Sequence, residues 1–206
     1  MTRPGSFLAS LAVLFLAAVA MLVLLLAPAA RADEPPFELV FPQNPAKTVH
    51  HDDYGSGRSG GRVHHGNDLM APKLSLVFAV ADGYVDSVAE SSRAGRYIII
   101  RHAGGWRSWY VHLNNDNVNT DDGQAPWSLT VSHSVVEGAF VAAGDIIGFV
   151  GDSGNAEWTG SHTHFELEFE GQSVDPYPYL AAALERALLE PYLERFSSLE
   201  GVPSVD

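Results

Sequence analysis

The sequence predicts a mainly β fold: a compact antiparallel β-sheet or β-sandwich core with a short C-terminal helical segment. Three observations predict it. Short runs of alternating or continuous apolar residues recur at 74–80, 84–89, 96–102, 107–113, 140–150 and 162–169. Tight-turn sequences with hairpin spacing separate some of them, namely Ala81-Asp82-Gly83 and Ala103-Gly104-Gly105. After Pro178 the period changes, and Leu180, Leu184 and Leu188 recur at helical spacing.

Taken in order, residues 1–32 stand apart from that core. Arg3 precedes a stretch, 7–27, that is apolar except for Ser10, and Ala30-Arg31-Ala32 follows. A basic start, an apolar run and a small-residue exit describe a secretory signal peptide. The run is also long enough to span a bilayer as an N-terminal membrane anchor. Cleavage is the preferred reading, and either alternative places the rest of the chain outside the cytoplasm. Residues 33–47 hold four prolines and little periodicity and read as a linker. Residues 48–180 carry the strand-like runs and form the expected domain. Within it, 114–133 is rich in Asn and Asp and interrupts two good strands. It reads as an inserted, solvated loop, and its glycine falls one place late for a calcium loop. Residues 181–206 are the C-terminal helix and tail, with Pro191 expected to end or kink the helix.

Composition excludes some functions. The chain has 12 Lys and Arg against 25 Asp and Glu, a formal net charge of −13. Nucleic-acid binding needs a basic face, and the sequence supplies none. There is no cysteine, so a metal site must be built from His, Asp and Glu.

Three stretches carry candidate chemistry. In 160–171, GSHTHFELEFEG, alternation continues from His164 into Phe165, Glu166, Leu167, Glu168 and Phe169. Residues i and i+2 of a strand share a face, so His162 and His164 project side by side. In 61–72, GRVHHGNDLMAP, His64, His65 and Asp68 crowd into five positions. Two imidazoles and a carboxylate suit zinc with an open fourth position. In 108–116, SWYVHLNND, alternation places Trp109, Val111 and Leu113 on one face and Tyr110 and His112 on the other.

Together the stretches His64-His65-Gly66-Asn67-Asp68, Tyr110-Val111-His112-Leu113 and His162-Thr163-His164-Phe165-Glu166 resemble the signature of the lysostaphin-type zinc endopeptidases of bacterial cell walls. The flanks agree at Gly61-Arg62, Ala71-Pro72, the run from Ala79 to Val85, that from Gly144 to Gly151, and Asp175-Pro176. The resemblance covers about 48–180. It implies a lysostaphin-like peptidase core and one Zn²⁺ per chain, held by His64, Asp68 and His164, with His112 and His162 as catalytic residues. It implies hydrolysis by metal-activated water, with peptidoglycan stem peptides or cross-links as substrate. Thr163 stands where the family usually has leucine, and Ser161 where proline is common. Tyr110 reads as packing, and Trp127 and Trp158 read equally as groove or packing residues. The loop at 114–133 is expected to lengthen one wall of the groove.

The runner-up is a non-catalytic or occluded cell-wall regulatory module of the same fold; a complete ligand set argues against it. The stretch 144–151 also resembles a carrier-domain hairpin. The chain has only Lys47 and Lys73, and neither lies at a suitable tip.

Overall fold

A computed structural model describes residues 34–199, with side chains through 193. Eleven strands and one long helix are found in these residues. The strands are β1 (Gly57–Arg58), β2 (Arg62–Val63), β3 (Asn67–Met70), β4 (Leu76–Phe78), β5 (Gly83–Ser91), β6 (Gly95–Arg101), β7 (Trp106–Leu113), β8 (Phe140–Val141), β9 (Ile146–Phe149), β10 (His162–Phe169) and β11 (Gln172–Val174). The helix, α1, is Tyr177–Leu199. The main sheet has seven strands, in the order β11-β10-β7-β6-β5-β8, with β3 also paired to β10; β4 and β9 form a second, small sheet. Every pairing is antiparallel.

The core fills from one face of the main sheet. Ile98, Ile100, Tyr110, Phe165 and Leu167 meet Leu69, Val77 and Ile147 there, all fully buried. Burying such side chains contributes roughly 1.5–3 kcal/mol each. The apolar alternation of β10 is what puts Phe165 and Leu167 inside while His162 and His164 face the other way.

Four expectations are corrected. Segment 33–47 has little regular structure, yet Leu39, Phe41 and Gln43 are buried and Val40 pairs its N–H with the Val80 carbonyl. Its apolar residues are too few to show a period, but they suffice to cap the core. The run at 140–150 splits into β8 and β9 at a turn through Gly144, where φ is 82°. The helix starts earlier than 181 and runs through Pro191. Proline there removes one i to i−4 bond, at an end where Leu188, Leu189, Tyr192 and Leu193 are exposed.

The loop at 114–133 is the fourth. Its middle, 118–124, is exposed as expected, but its ends are anchored: Asn114, Asp116 and Thr130 are fully buried. Lys73 Nζ lies 2.7 Å from Asp116 and 2.6 Å from Asp121. Arg96 donates to the Ala125 carbonyl and the Thr130 hydroxyl, and its guanidinium lies 4.8 Å from the Trp127 ring centre.

The stretch read as a signal peptide or membrane anchor lies outside the described residues. Among those that are described, no helix is long and apolar enough to cross a membrane.

Candidate active site

Strand pairing assembles the site. β10 takes β3 on one edge and β7 on the other, and the β3 register sets His164 directly opposite Asp68. His64 enters from the segment joining β2 to β3. Gly66 makes this approach possible, because a Cβ there would collide with the Phe165 carbonyl. That is the physical reason for a glycine in His64-His65-Gly66-Asn67-Asp68.

Three donor atoms converge. His64 Nε2 lies 3.0 Å from Asp68 Oδ1 and 2.8 Å from His164 Nδ1, and His164 Nδ1 lies 2.9 Å from the same Asp68 oxygen. Two ring nitrogens and a carboxylate oxygen, facing one another and partly screened from water, form a donor set that suits zinc. His65 lies outside this trio; its ring is exposed, and its carbonyl accepts a bond from the Ser173 hydroxyl.

The outer ligands orient the inner ones. His64 Nδ1 donates to the Asp53 carbonyl at 2.9 Å, and His164 Nε2 donates to Glu166 Oε1 at 2.8 Å. The remaining Asp68 oxygen accepts from Arg58 at 2.7 Å. Sequence reasoning missed all three supports. Glu166 was legible, since it lies two residues from His164 on one strand face. Asp53 and Arg58 lie in irregular backbone and a two-residue strand and carried no periodic signal.

Electrostatics follows from this packing. Burial raises the Asp68 pKa, but hydrogen bonds from His164 and His64 outweigh it and hold the carboxyl well below its ordinary range. Burial would lower His164, yet its bonds to Asp68 and Glu166 push it up to about 9 when no metal competes for the ring.

His112 reaches the site by a route that alternation did not predict. Arg96 pairs with Leu113 and Ile98 with Tyr110, so Val111 and His112 together oppose the single residue Tyr97. This β-bulge places His112 at φ 62°, a left-handed conformation rare for a non-glycine residue. The faces therefore exchange. Tyr110 and Leu113 both enter the core, while Val111 and His112 both line the cleft. Tyr110 accepts a bond from the Val80 N–H at 2.8 Å, a structural role.

The His112 and His162 rings lie 5.1 Å apart. Each has its Nδ1 bound to a carbonyl, of Ser153 at 2.8 Å and of Gly160 at 2.7 Å respectively. A carbonyl only accepts, so Nδ1 carries the proton and Nε2 keeps its lone pair. His162 Nε2 lies 3.8 Å from Asp68 Oδ1. Burial, then the charges of His162 and His164, lower the His112 pKa to about 4.

All five groups, four imidazoles and the Asp68 carboxylate, open into one cleft of about 760 Å³. Its rim includes Asn155 and Thr159 but no residue of 114–133, so that loop does not extend the groove wall. Trp158 stands between those rim residues and is 92% exposed, whereas Trp127 is occupied by Arg96.

Comparison with known proteins gives a consistent result. The profile of Peptidase family M23 matches residues 62–125 and 127–176. The chain is 35% identical over 115 residues to the DD-carboxypeptidase/endopeptidase Mpg of Neisseria meningitidis serogroup B, covering 56% of this chain and 22% of that protein. It thus spans about a fifth of the length of this relative. Among solved structures, the catalytic domain of lysostaphin from Staphylococcus simulans superposes with a TM-score of 0.51 at 27% identity, covering 65% of this chain and 92% of that one. The catalytic domain of the prophage-encoded M23 protein EnpA from Enterococcus faecalis gives 0.50 at 31% identity, covering 66% and 94%. The fold is that of the lysostaphin-like M23 catalytic domains.

Proposed function

Because the chain belongs to peptidase family M23, we propose that it is a zinc-dependent endopeptidase cutting peptide bonds of bacterial cell-wall peptidoglycan. In this reading His64, Asp68 and His164 hold one zinc ion, and His112 and His162 are the catalytic residues. The reading rests on one observation above the others. Three metal donors and two imidazoles with free Nε2 lone pairs meet in a single open cleft.

Zinc in this donor set supplies Lewis acidity, which brings the pKa of water from about 16 toward about 7. The chain's own residues do the rest. Asp68, kept ionised, cancels one unit of the metal's charge and leaves the site electrophilic. Glu166 and the Asp53 carbonyl fix the tautomers of His164 and His64, presenting Nδ1 and Nε2 as lone-pair donors. His112 and His162 handle protons. With His112 lowered to about 4, its ring is neutral at pH 7 and can accept at Nε2. The ring that takes the proton of the attacking water at Nε2 becomes a donor there, and that same Nε2–H can hydrogen-bond the developing oxyanion and then pass its proton to the leaving amine nitrogen.

The proposal extends to location. The apolar stretch 7–27 followed by Ala30-Arg31-Ala32 supports export, so the enzyme acts outside the cytoplasm, as a secreted, periplasmic or wall-associated protein.

The test is zinc content together with release of fragments from purified peptidoglycan, for wild type, His64→Ala and His162→Ala. Wild type is expected to hold about one zinc and to cut. His64→Ala loses metal and activity; His162→Ala keeps metal and loses activity. A wild type that holds zinc yet releases nothing from any wall preparation would overturn the enzymatic reading.

A further inference from the structure

The cleft has the opposite charge balance to the chain. Acidic residues outnumber basic ones 25 to 12 overall, yet three of those 12 basic residues line this cleft and only two of the acids do. The two acids, Asp68 and Glu166, are already bound to imidazoles. The three bases are arginines: Arg58 and Arg62 from the β1–β2 hairpin, and Arg93 from the turn between β5 and β6. The hairpin leads into His64 on the β3 side of β10. The turn lies beyond β7 on the other side, where the neighbouring Ala94 carbonyl accepts the His112 N–H. Cationic groups therefore flank the imidazoles from both sides.

These arginines differ in what they already hold. Arg58 is committed to Asp68 and Asp53, at 2.7 and 3.3 Å. Arg62 bonds only to neutral oxygens, the Ser59 carbonyl at 3.0 Å and the Ser59 hydroxyl at 3.1 Å. Those bonds orient its guanidinium without cancelling its charge. Arg93 is exposed and has no side-chain hydrogen bond or ion pair among the described residues. A solvated arginine is ordinary on most surfaces. Two unneutralised ones across a catalytic cleft, in a chain of net charge −13, form a local positive field facing the substrate.

We infer that this cleft selects peptides carrying a free carboxylate near the scissile bond, with Arg62 and Arg93 as the specificity-determining residues. A guanidinium fork matches a carboxylate in shape and charge and gains much less from a carboxamide. Anionic stem peptides and the cross-links between them fit; an uncharged interpeptide bridge, or stems whose carboxyls are amidated, fit poorly. The inference rests on the peptidase reading for its substrate class but makes a separate claim about binding.

The experiment uses the full chain with zinc and two synthetic cross-linked peptides, identical except that one has free carboxyls and the other carboxamides. Binding is read by fluorescence anisotropy of labelled peptide and cutting by mass spectrometry. Wild type, Arg62→Gln and Arg93→Gln are compared, with Arg101→Gln, outside the cleft, as control. Wild type is expected to bind the carboxylate peptide about tenfold tighter, and Arg62→Gln and Arg93→Gln each to reduce that preference about threefold, as for solvent-exposed ion pairs. Arg101→Gln keeps it, and raising the salt shrinks it. Equal binding of the two peptides by wild type, binding of neither, or an unchanged preference in both cleft variants would overturn the inference. Preferential binding without cutting upholds the inference and sinks the peptidase reading. Cutting both peptides with equal affinity does the reverse.

Discussion

Glu166 does for His164 what the Asp53 carbonyl does for His64: it accepts a hydrogen bond from the distal ring N–H and so turns the other nitrogen toward the metal position. A carboxylate at 2.8 Å also makes the ring a stronger donor than a neutral carbonyl would. Glu166→Ala is therefore expected to lower zinc affinity about tenfold or more without unfolding the strand. Competition against a chromophoric chelator measures this, with the exposed helix variant Glu185→Ala as control. Equal affinity in wild type and Glu166→Ala would remove Glu166 from the support of the site. Trp158 teaches the complementary lesson at this scale. At 92% exposure it contributes little to packing, so its replacement is expected to leave stability nearly unchanged.

At the scale of elements, the loop 114–133 and strand β7 decide what the sequence could and could not reveal. The loop is closed by one ammonium. Lys73 lies 2.7, 2.6 and 2.9 Å from Asp116, Asp121 and Asp152, two of which are almost wholly buried. Burial alone would lower the Lys73 pKa, but the three carboxylates around it raise it. Asp152 shows the limit of this sharing. Its nearer oxygen is outside hydrogen-bonding geometry, and burial outweighs the lysine and raises its pKa. Lys73→Met leaves Asp116 buried without its cation, an arrangement that costs about 3 kcal/mol or more. The expected result is a lower urea midpoint and faster proteolysis within 114–133; an unchanged midpoint would show that the clamp is idle. No local pattern joins Lys73 to Asp116 across forty-three residues, which is why the anchoring of the segment was not legible. The β7 bulge was hidden for a related reason. Alternation assumes unbroken pairing, and only the partner strand reveals that Val111 and His112 share Tyr97. By contrast the regular pairing of β10 was legible throughout. His162, His164, Phe165 and Leu167 take the faces their spacing assigns, and the crowding of His64 and Asp68 survives as real proximity.

At the scale of the whole molecule, the main sheet is tied to the connection between β4 and β5 by a buried polar chain built on His102. Its Nδ1–H donates to the Asp82 carbonyl at 2.8 Å, and its Nε2 lies 2.8 Å from the Ser108 hydroxyl. Ser108 in turn lies 3.2 Å from the Tyr110 hydroxyl, which accepts the N–H of Val80. The chain thus runs from β7 to the connection between β4 and β5. Burial favours the neutral ring and lowers the His102 pKa below 6.5. The sign of the consequence follows. A depressed folded-state pKa contributes stability that is complete above the unfolded value of about 6.5 and is lost as pH falls through the folded value. The slope is at most about 1.4 kcal/mol per pH unit for one proton. His112, lowered to about 4, adds a loss of the same sign in the same acid range. Urea midpoints of wild type and His102→Gln at pH 7.5, 6.5 and 5.5, at equal zinc loading, separate the two contributions. Wild type is expected to lose stability between pH 6.5 and 5.5. His102→Gln should start lower at pH 7.5, where glutamine replaces the ring imperfectly, and then fall less steeply, since only His112 and the site groups still titrate. Parallel lines for the two proteins would mean that His102 binds protons alike folded and unfolded, and that burial does not hold its ring neutral.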